Sequence, residues 1–449
     1  MNTEDRRSGR SRRAFFKSTA ALAAATGAGL VAGPAGQALA ADPAVGGHAD
    51  GSAIEPFWGV HQGGIATPPQ RHVYFAAFDL STSQRSDVAA ILEAWTAAAS
   101  RMSRGETAEP REAGLRTATS PTTEDSRPGY AAPPAPGAGG DTGEVMGMTP
   151  HRLTVTFGFG PSLFVKDGKD RYGLAARRPE ALADLPPFPG DQLVETHSGG
   201  DLCVQACADD PQVAFHAVRQ LARIASGSAQ IRWAQTGFLP DVPPGQAARN
   251  LMGFKDGIMN PAPHQMDPFV WIGAGGPDWL RGGSYLVARR IRIALEHWDS
   301  MRVAFQEQVV GRHKLSGAPL GQNRESAPLD LDAKDQDGNP IIPENAHVRL
   351  SAAAANGGAV ILRRGYSYNN GVDLTAERWP PWREGLEYDA GLLFLAFQQD
   401  PRTGFIRIFD KVSRFDMMNQ FVTHVGSALF ACPGGATPGE FIGQRLLEG

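Results

Sequence analysis

Short apolar runs of period two alternate with single stripes of helical spacing through the first half of the chain. His72 to Leu80 reads as a strand, bounded by Pro68-Pro69 and the polar Ser81-Thr82-Ser83. Val88, Ile91, Leu92, Trp95 and Ala99 then recur at i, i+3, i+4, i+7 and i+11, which predicts a helix over about Asp87 to Met102. From Gly105 to Gly143 the pattern breaks. Positions 131 to 140 are all Ala, Pro or Gly, so 105–143 reads as a disordered surface loop without a core of its own. Strands resume at Leu153 to Phe159 and Asp201 to Ala206. Asp209 or Asp210 is placed to cap a helix carrying Val213, Ala217, Leu221 and Ile224, and Ala229 to Phe238 is the next strand.

Strand, helix, strand, strand, helix, strand is the ferredoxin-like order, in which helices cover one face of an antiparallel sheet. The second half repeats the order: strand Ser284 to Leu295, helix Asp299 to Val310, strands around His347 to Leu350 and Val360 to Tyr368, strand Leu392 to Gln398, and a helix from about Phe415 to Val425. The expected fold is therefore α+β, two ferredoxin-like halves over 57–240 and 284–449, joined by 241–283.

Composition narrows the classes. Lys+Arg 43 against Asp+Glu 47 leaves no basic footprint for a nucleic-acid backbone. Three cysteines, Cys203, Cys207 and Cys432, allow at most one disulfide, and they form no C-x-x-C-H haem attachment or paired C-x-x-C zinc site. Cys207 is read as a small apolar packing residue. Asp335, Asp337 and Asn339 begin like a calcium loop, but Pro340 stands where the turn needs glycine, so a solvated acidic turn is expected. At the N-terminus, Ser11-Arg12-Arg13-Ala14-Phe15-Phe16-Lys17 precedes an Ala/Gly-rich run ending in Ala38-Leu39-Ala40. This is the pattern of a twin-arginine export signal over 1–40, with 41–56 as a flexible lead-in. It predicts handling by the twin-arginine export machinery and a location outside the cytoplasm, at the cell surface, in a periplasm or in the medium.

Gly253-Phe254-Lys255-Asp256-Gly257, followed by Asn260-Pro261, sits between the halves and reads as a loop. An acid between two glycines is either an Asx-turn or a group held where backbone passes close to a ligand. In Val360-Ile361-Leu362-Arg363-Arg364 a buried approach runs into two arginines on opposite strand faces. One of them can reach an internal site, which leaves the other as a surface or salt-bridge residue. Among eleven histidines, His347 stands apart because it opens a short extended segment, His347-Val348-Arg349-Leu350.

These segments resemble the dye-decolourising peroxidases, in particular the exported subgroup related to the deferrochelatase branch. The G-x-x-D-G motif carries the likeness, with His61-Gln62-Gly63-Gly64-Ile65, Gly158-Phe159-Gly160-Pro161, Gly311-Arg312-His313-Lys314 and Ile361 to Tyr368 in family order. The resemblance implies one non-covalent haem b per chain, bound mainly in the C-terminal half. His347 is the implied proximal iron ligand, with Gly253, Gly257 and Arg349 at the cofactor, Asp256 as distal acid-base and Arg363 as distal arginine. It implies reduction of hydrogen peroxide and oxidation of dyes, phenols or other small aromatic donors. Iron release from haem and non-catalytic haem carriage are the alternatives, and Asp256 with Arg363 favours chemistry over carriage. Ile258 and Ser351-Ala352-Ala353-Ala354-Ala355 depart from the family pattern. Burial is expected to raise Asp256 only modestly, which would give activity in acid. Tyr366, Tyr368, Trp379 and Trp382 are candidates to relay electrons.

Overall fold

Apolar alternation on both strand faces is what a sheet needs when it is covered outside by helices and packed inside against another sheet. The computed structural model describes residues 52–110, 140–243, 246–376 and 384–448. Along it run β1 (His72–Leu80), α1 (Arg85–Met102), β2 (Thr154–Phe159), β3 (Leu202–Ala208), α2 (Pro211–Ile224) and β4 (Ala229–Phe238). The second half contributes β5 (Ser284–Ile293), α3 (Val303–Val310), α4 (His347–Ser351), β6 (Leu362–Arg363), β7 (Tyr366–Ala376), β8 (Glu384–Gln398), α5 (Phe405–Phe415) and β9 (Val422–Cys432). The molecule is a mixed α+β structure. Its first four strands lie in the order β4-β1-β3-β2 and the later ones in the order β9-β5-β8-β7, all antiparallel.

The two sets close into a ring of eight strands, with β6 added on β8. The seams are thin. β2 meets β9 at Phe159 and Ala431, and β4 meets β7 at Phe238 and Ser367. Buried Gln62 reinforces the first seam: its amide donates to the carbonyls of Phe157 and Pro433, and its Oε1 accepts from the Phe157 N–H. Inside the ring, Val73, Phe75, Trp233, Leu286, Leu395 and Phe430 form one apolar layer together with the three free cysteines. Outside it, α1 and α2 bury Trp95, Ile91, Val213 and Leu221 on the first half, and Asp210 caps α2 by accepting from the N–H groups of Gln212 and Val213.

Several expectations change. His347 does not open an extended segment: it begins the one-turn helix α4, where Arg349 and Leu350 donate to the Ala346 carbonyl. Val348 and Leu350 alternate as a strand would, but Leu350 is buried with Phe405, Phe409 and Val412 of α5, and that packing decides the conformation. The helix expected at about 415–425 instead spans Phe405–Phe415; Asp416 ends it, and β9 begins at Val422. Gly365 divides the expected Val360 to Tyr368 strand into β6 and β7. Residues 105–110 and 140–143 of the expected loop are placed against the fold, with Ala108 buried, while 111–139 lie outside the described residues, as do the export signal, Trp379 and Trp382. Tyr366 and Tyr368 are fully buried. Asp335 folds as the expected acidic turn, its Oδ1 accepting from the N–H groups of Asp337 and Asn339.

Arg364 is neither a surface nor an ion-paired residue. It is 3% exposed and donates to the Thr67 carbonyl and Gln70 Oε1, tying the start of β7 to the segment before β1. Arg364→Leu removes the donors of one buried and one part-buried acceptor and is expected to cost about 2 to 4 kcal/mol in denaturant unfolding. An unchanged midpoint would show that these contacts hold nothing.

Candidate active site

The segment 250–259, α4, α5 and the outer face of the second set of strands enclose a cavity of about 330 Å³, lined only by residues from Asn250 onward. Its wall is apolar, with Ile291, Ile293, Leu392, Phe394 and Phe409 in the lining. Three of the polar residues in its lining are the expected ones. His347, Asp256 and Arg363 remain 33%, 31% and 30% exposed although their backbones are packed, because each faces this space.

Two glycines shape the Asp256 turn. Gly253 has φ +83° and a Cβ there would lie 2.7 Å from Lys314 Cε, while Gly257 has φ +77°. The Gly257 N–H donates to Asp256 Oδ1 at 2.6 Å, and Arg363 Nη1 donates to the same oxygen at 3.0 Å. Asp256 Oδ2 has no hydrogen bond among the described residues and is the oxygen left to take a proton. Burial alone would raise Asp256, but Arg363's charge and the Gly257 N–H outweigh it, with His347 adding to them, so its carboxyl is held below the ordinary range. The modest rise expected from burial does not occur. Asn260 sets Arg363 in place by pairing with both its backbone groups: Oδ1 accepts from the Arg363 N–H and Nδ2 donates to its carbonyl.

Asp416, which ends α5, had no signature in the sequence. Its Oδ2 is 2.6 Å from His347 Nδ1, its side chain is 1% exposed, and its Oδ1 accepts from the Met418 N–H. The carboxylate draws the ring proton to Nδ1 and leaves the Nε2 lone pair available as a ligand. Burial opposes protonation of His347, yet Asp416's charge and hydrogen bond prevail and hold it above its ordinary value. Ser351 supports the same turn by donating to the His347 carbonyl.

The remaining expected residues divide. Gly257 lines the cavity; Gly253 sits one turn behind it. Arg349 points elsewhere, bonding through Nε and Nη2 to the Ile342 carbonyl and through Nη2 to that of Leu331, so it fastens the 331–342 loop. Arg312 takes its place at the cavity. It is 4% exposed; Nη1 donates to the Gly317 and Glu325 carbonyls, while Nη2 is buried and has no partner among the described residues. A buried guanidinium with an orphaned N–H pair asks for an anion.

The chain matches the model for Dyp-type peroxidase, N-terminal, over residues 62–239, and that for Dyp-type peroxidase, C-terminal, over 247–437. It is 39% identical over 412 residues to a dye-decolorizing peroxidase of Thermobifida fusca, covering 86% of this chain and 84% of that protein. To a deferrochelatase of Escherichia coli K12 it is 32% identical over 411 residues, covering 88% and 87%. A structure of DtpA from Streptomyces lividans, described as an oxyferrous/water mixed complex, superposes with TM-score 0.76 at 40% identity over 88% of this chain and 98% of that one. Matched in both halves, and similar to these relatives over most of its length, the chain belongs to the Dyp-type peroxidase family.

Proposed function

We propose that the cavity holds haem b with His347 as iron ligand, and that Asp256 and Arg363 act on hydrogen peroxide there. Family membership makes the protein a haem-dependent peroxidase. The fit to haem rests on this chain's own groups. An apolar wall suits a flat macrocycle, a neutral imidazole nitrogen suits iron, and the orphaned Arg312 Nη2 suits a carboxylate at the macrocycle's edge. When bound, haem supplies the redox centre that takes up the oxidising equivalents of peroxide.

The polypeptide supplies proton transfer and charge. Asp256 Oδ2 takes a proton from one peroxide oxygen and returns it to the other as the O–O bond breaks. Arg363 offers fixed positive charge to the departing oxygen, since guanidinium stays protonated. The carrying observation is the 3.0 Å contact of Arg363 with Asp256 in the cavity His347 also faces. Dyes, phenols and other small aromatics are the proposed electron donors. The name of the Escherichia coli relative favours a second reading, iron release from haem; its product would be an iron-free porphyrin, seen by fluorescence. We further propose the ferredoxin-like description of both halves, which the shared 4-1-3-2 strand order supports, the division 57–240 / 241–283 / 284–449, and export by the twin-arginine route from the residues at its start.

The pH profile tests the role of Asp256. Its carboxyl lies below the ordinary value, so the base form persists as pH falls, and the peroxide step is lost only when pH drops through that lowered value. The acid limb of the rate of reaction with peroxide is expected below about pH 3.9, and Arg363→Leu should move it upward. A wild-type limb above pH 5 would remove Asp256 as the base.

A further inference from the structure

Outside the lining of the cavity, the turn at 141–147 before β2 brings two carboxylates onto α2. Asp141 Oδ2 lies 3.3 Å from His216 Nε2, and Glu144 Oε1 lies 3.0 Å from His216 Nδ1. One ligand atom from each of the three residues falls within 4.8 Å of the others. The His216 side chain is 2% exposed and that of Asp141 4%. Despite the short distances, neither ring nitrogen meets a carboxylate in hydrogen-bonding geometry, and Glu144 Oε1 is likewise buried without a hydrogen bond among the described residues. A buried imidazole with one carboxylate against each ring nitrogen, neither in hydrogen-bonding geometry, is costly unless something else joins them.

The carboxylates themselves are held from behind. Asp141 Oδ1 accepts from the Gly143 N–H and Oδ2 from the Ala108 N–H, each at 2.7 Å. Glu144 Oε2 accepts from Thr142 Oγ1, which in turn accepts from Gln220 Nε2. Outer hydrogen bonds of this kind orient the ligands of metal sites. Half-exposed Arg219 also reaches Glu144 Oε1, at 3.2 Å, and offsets one of the two negative charges.

We propose that Asp141, Glu144 and His216 bind a divalent metal ion of the zinc class, fastening the turn at 141–147 to α2. One imidazole nitrogen with two carboxylate oxygens suits zinc, whereas calcium and magnesium favour oxygen alone. A fourth position is left for water. Ligand atoms about 2.0 to 2.2 Å from a tetrahedral ion stand roughly 3.4 Å apart; Asp141 Oδ2 already stands at that spacing from Nε2, so binding there requires Glu144, which now faces Nδ1, to swing toward the same nitrogen. A neighbouring pocket lined by Arg101, Glu106, Met146 and Asp141 offers the entry path.

The test is a zinc chloride titration by calorimetry on the full-length, haem-loaded protein after chelator treatment, with zinc and iron counted by mass spectrometry. One zinc per chain is expected beside the haem iron. Asp141→Asn and Glu144→Gln should each weaken binding about tenfold or more, with haem absorbance unchanged. Arg219→Ala, on a half-exposed side chain that leaves the fold intact, should tighten it by removing the competing cation. Absence of zinc uptake by wild-type protein would overturn the proposal and leave His216 as an imidazolium clamp between two carboxylates. So would affinity that all three variants leave unchanged, since the zinc would then sit elsewhere.

Discussion

Arg363→Leu and Asp256→Asn are each expected to slow the reaction with hydrogen peroxide by about 10²- to 10³-fold at unchanged haem content, which is about 3 to 4 kcal/mol of barrier. The two losses arise differently: Asp256→Asn removes the only group in the pair that can take a proton, while Arg363→Leu removes the fixed charge. Arg363 also holds Asp256 in its ionised form through the 3.0 Å contact, so the residues act as a unit. The double variant should therefore lose less than the product of the single losses. Arg364→Leu, whose side chain points away to Thr67 and Gln70, should leave the peroxide rate within a few-fold of wild type while lowering stability. Rapid mixing of each haem-loaded variant with peroxide measures all four. If Arg364→Leu is the crippling change, the strand register through 362–364 is wrong.

The second large effect concerns His347. His347→Ala is expected to reduce haem occupancy on the order of tenfold or more in protein purified with haem supplied in excess, because it removes the iron ligand. It also strands the Asp416 carboxylate, 1% exposed, and an uncompensated buried charge costs about 3 to 5 kcal/mol. These effects separate in the double variant His347→Ala/Asp416→Asn, where the amide needs no counter-charge. Stability should return, and haem should not. Recovery of both would mean that His347 served the fold alone, and His313, paired with Glu307 outside the cavity lining, would offer no replacement.

Local chemistry was legible in the residues. β1 and β4 begin and end where their period-two runs do, the stripe from Val88 to Ala99 became the buried face of α1, and Asp256 between its glycines is the turn expected. Strand alternation placed Arg363 and Arg364 apart, but Arg364 is buried against Thr67 and Gln70 and not at the surface or in a salt bridge. What stayed hidden depends on contacts made across long stretches of chain. Asp416 lies 69 positions from His347, and nothing around it distinguishes a helix-ending aspartate from one that sets a tautomer. Arg349 and Arg312 look alike in sequence; only the course of the 312–342 loop sends one to backbone carbonyls and the other to the cavity. Closure of the ring rests on single-residue bridges at two strand ends, too little to mark a sequence. A five-residue helix such as α4 has too few turns to display a period, so packing on α5 rather than pattern decides it.

The absorption spectrum of the purified protein, followed by one equivalent of hydrogen peroxide and then a phenolic donor, tests the central claim most directly. The account predicts a Soret band from non-covalent haem that shifts within the mixing time on peroxide and returns when the phenol is added, with no gain in porphyrin fluorescence. A Soret band indifferent to peroxide, or one lost as iron-free porphyrin fluorescence appears, would contradict it.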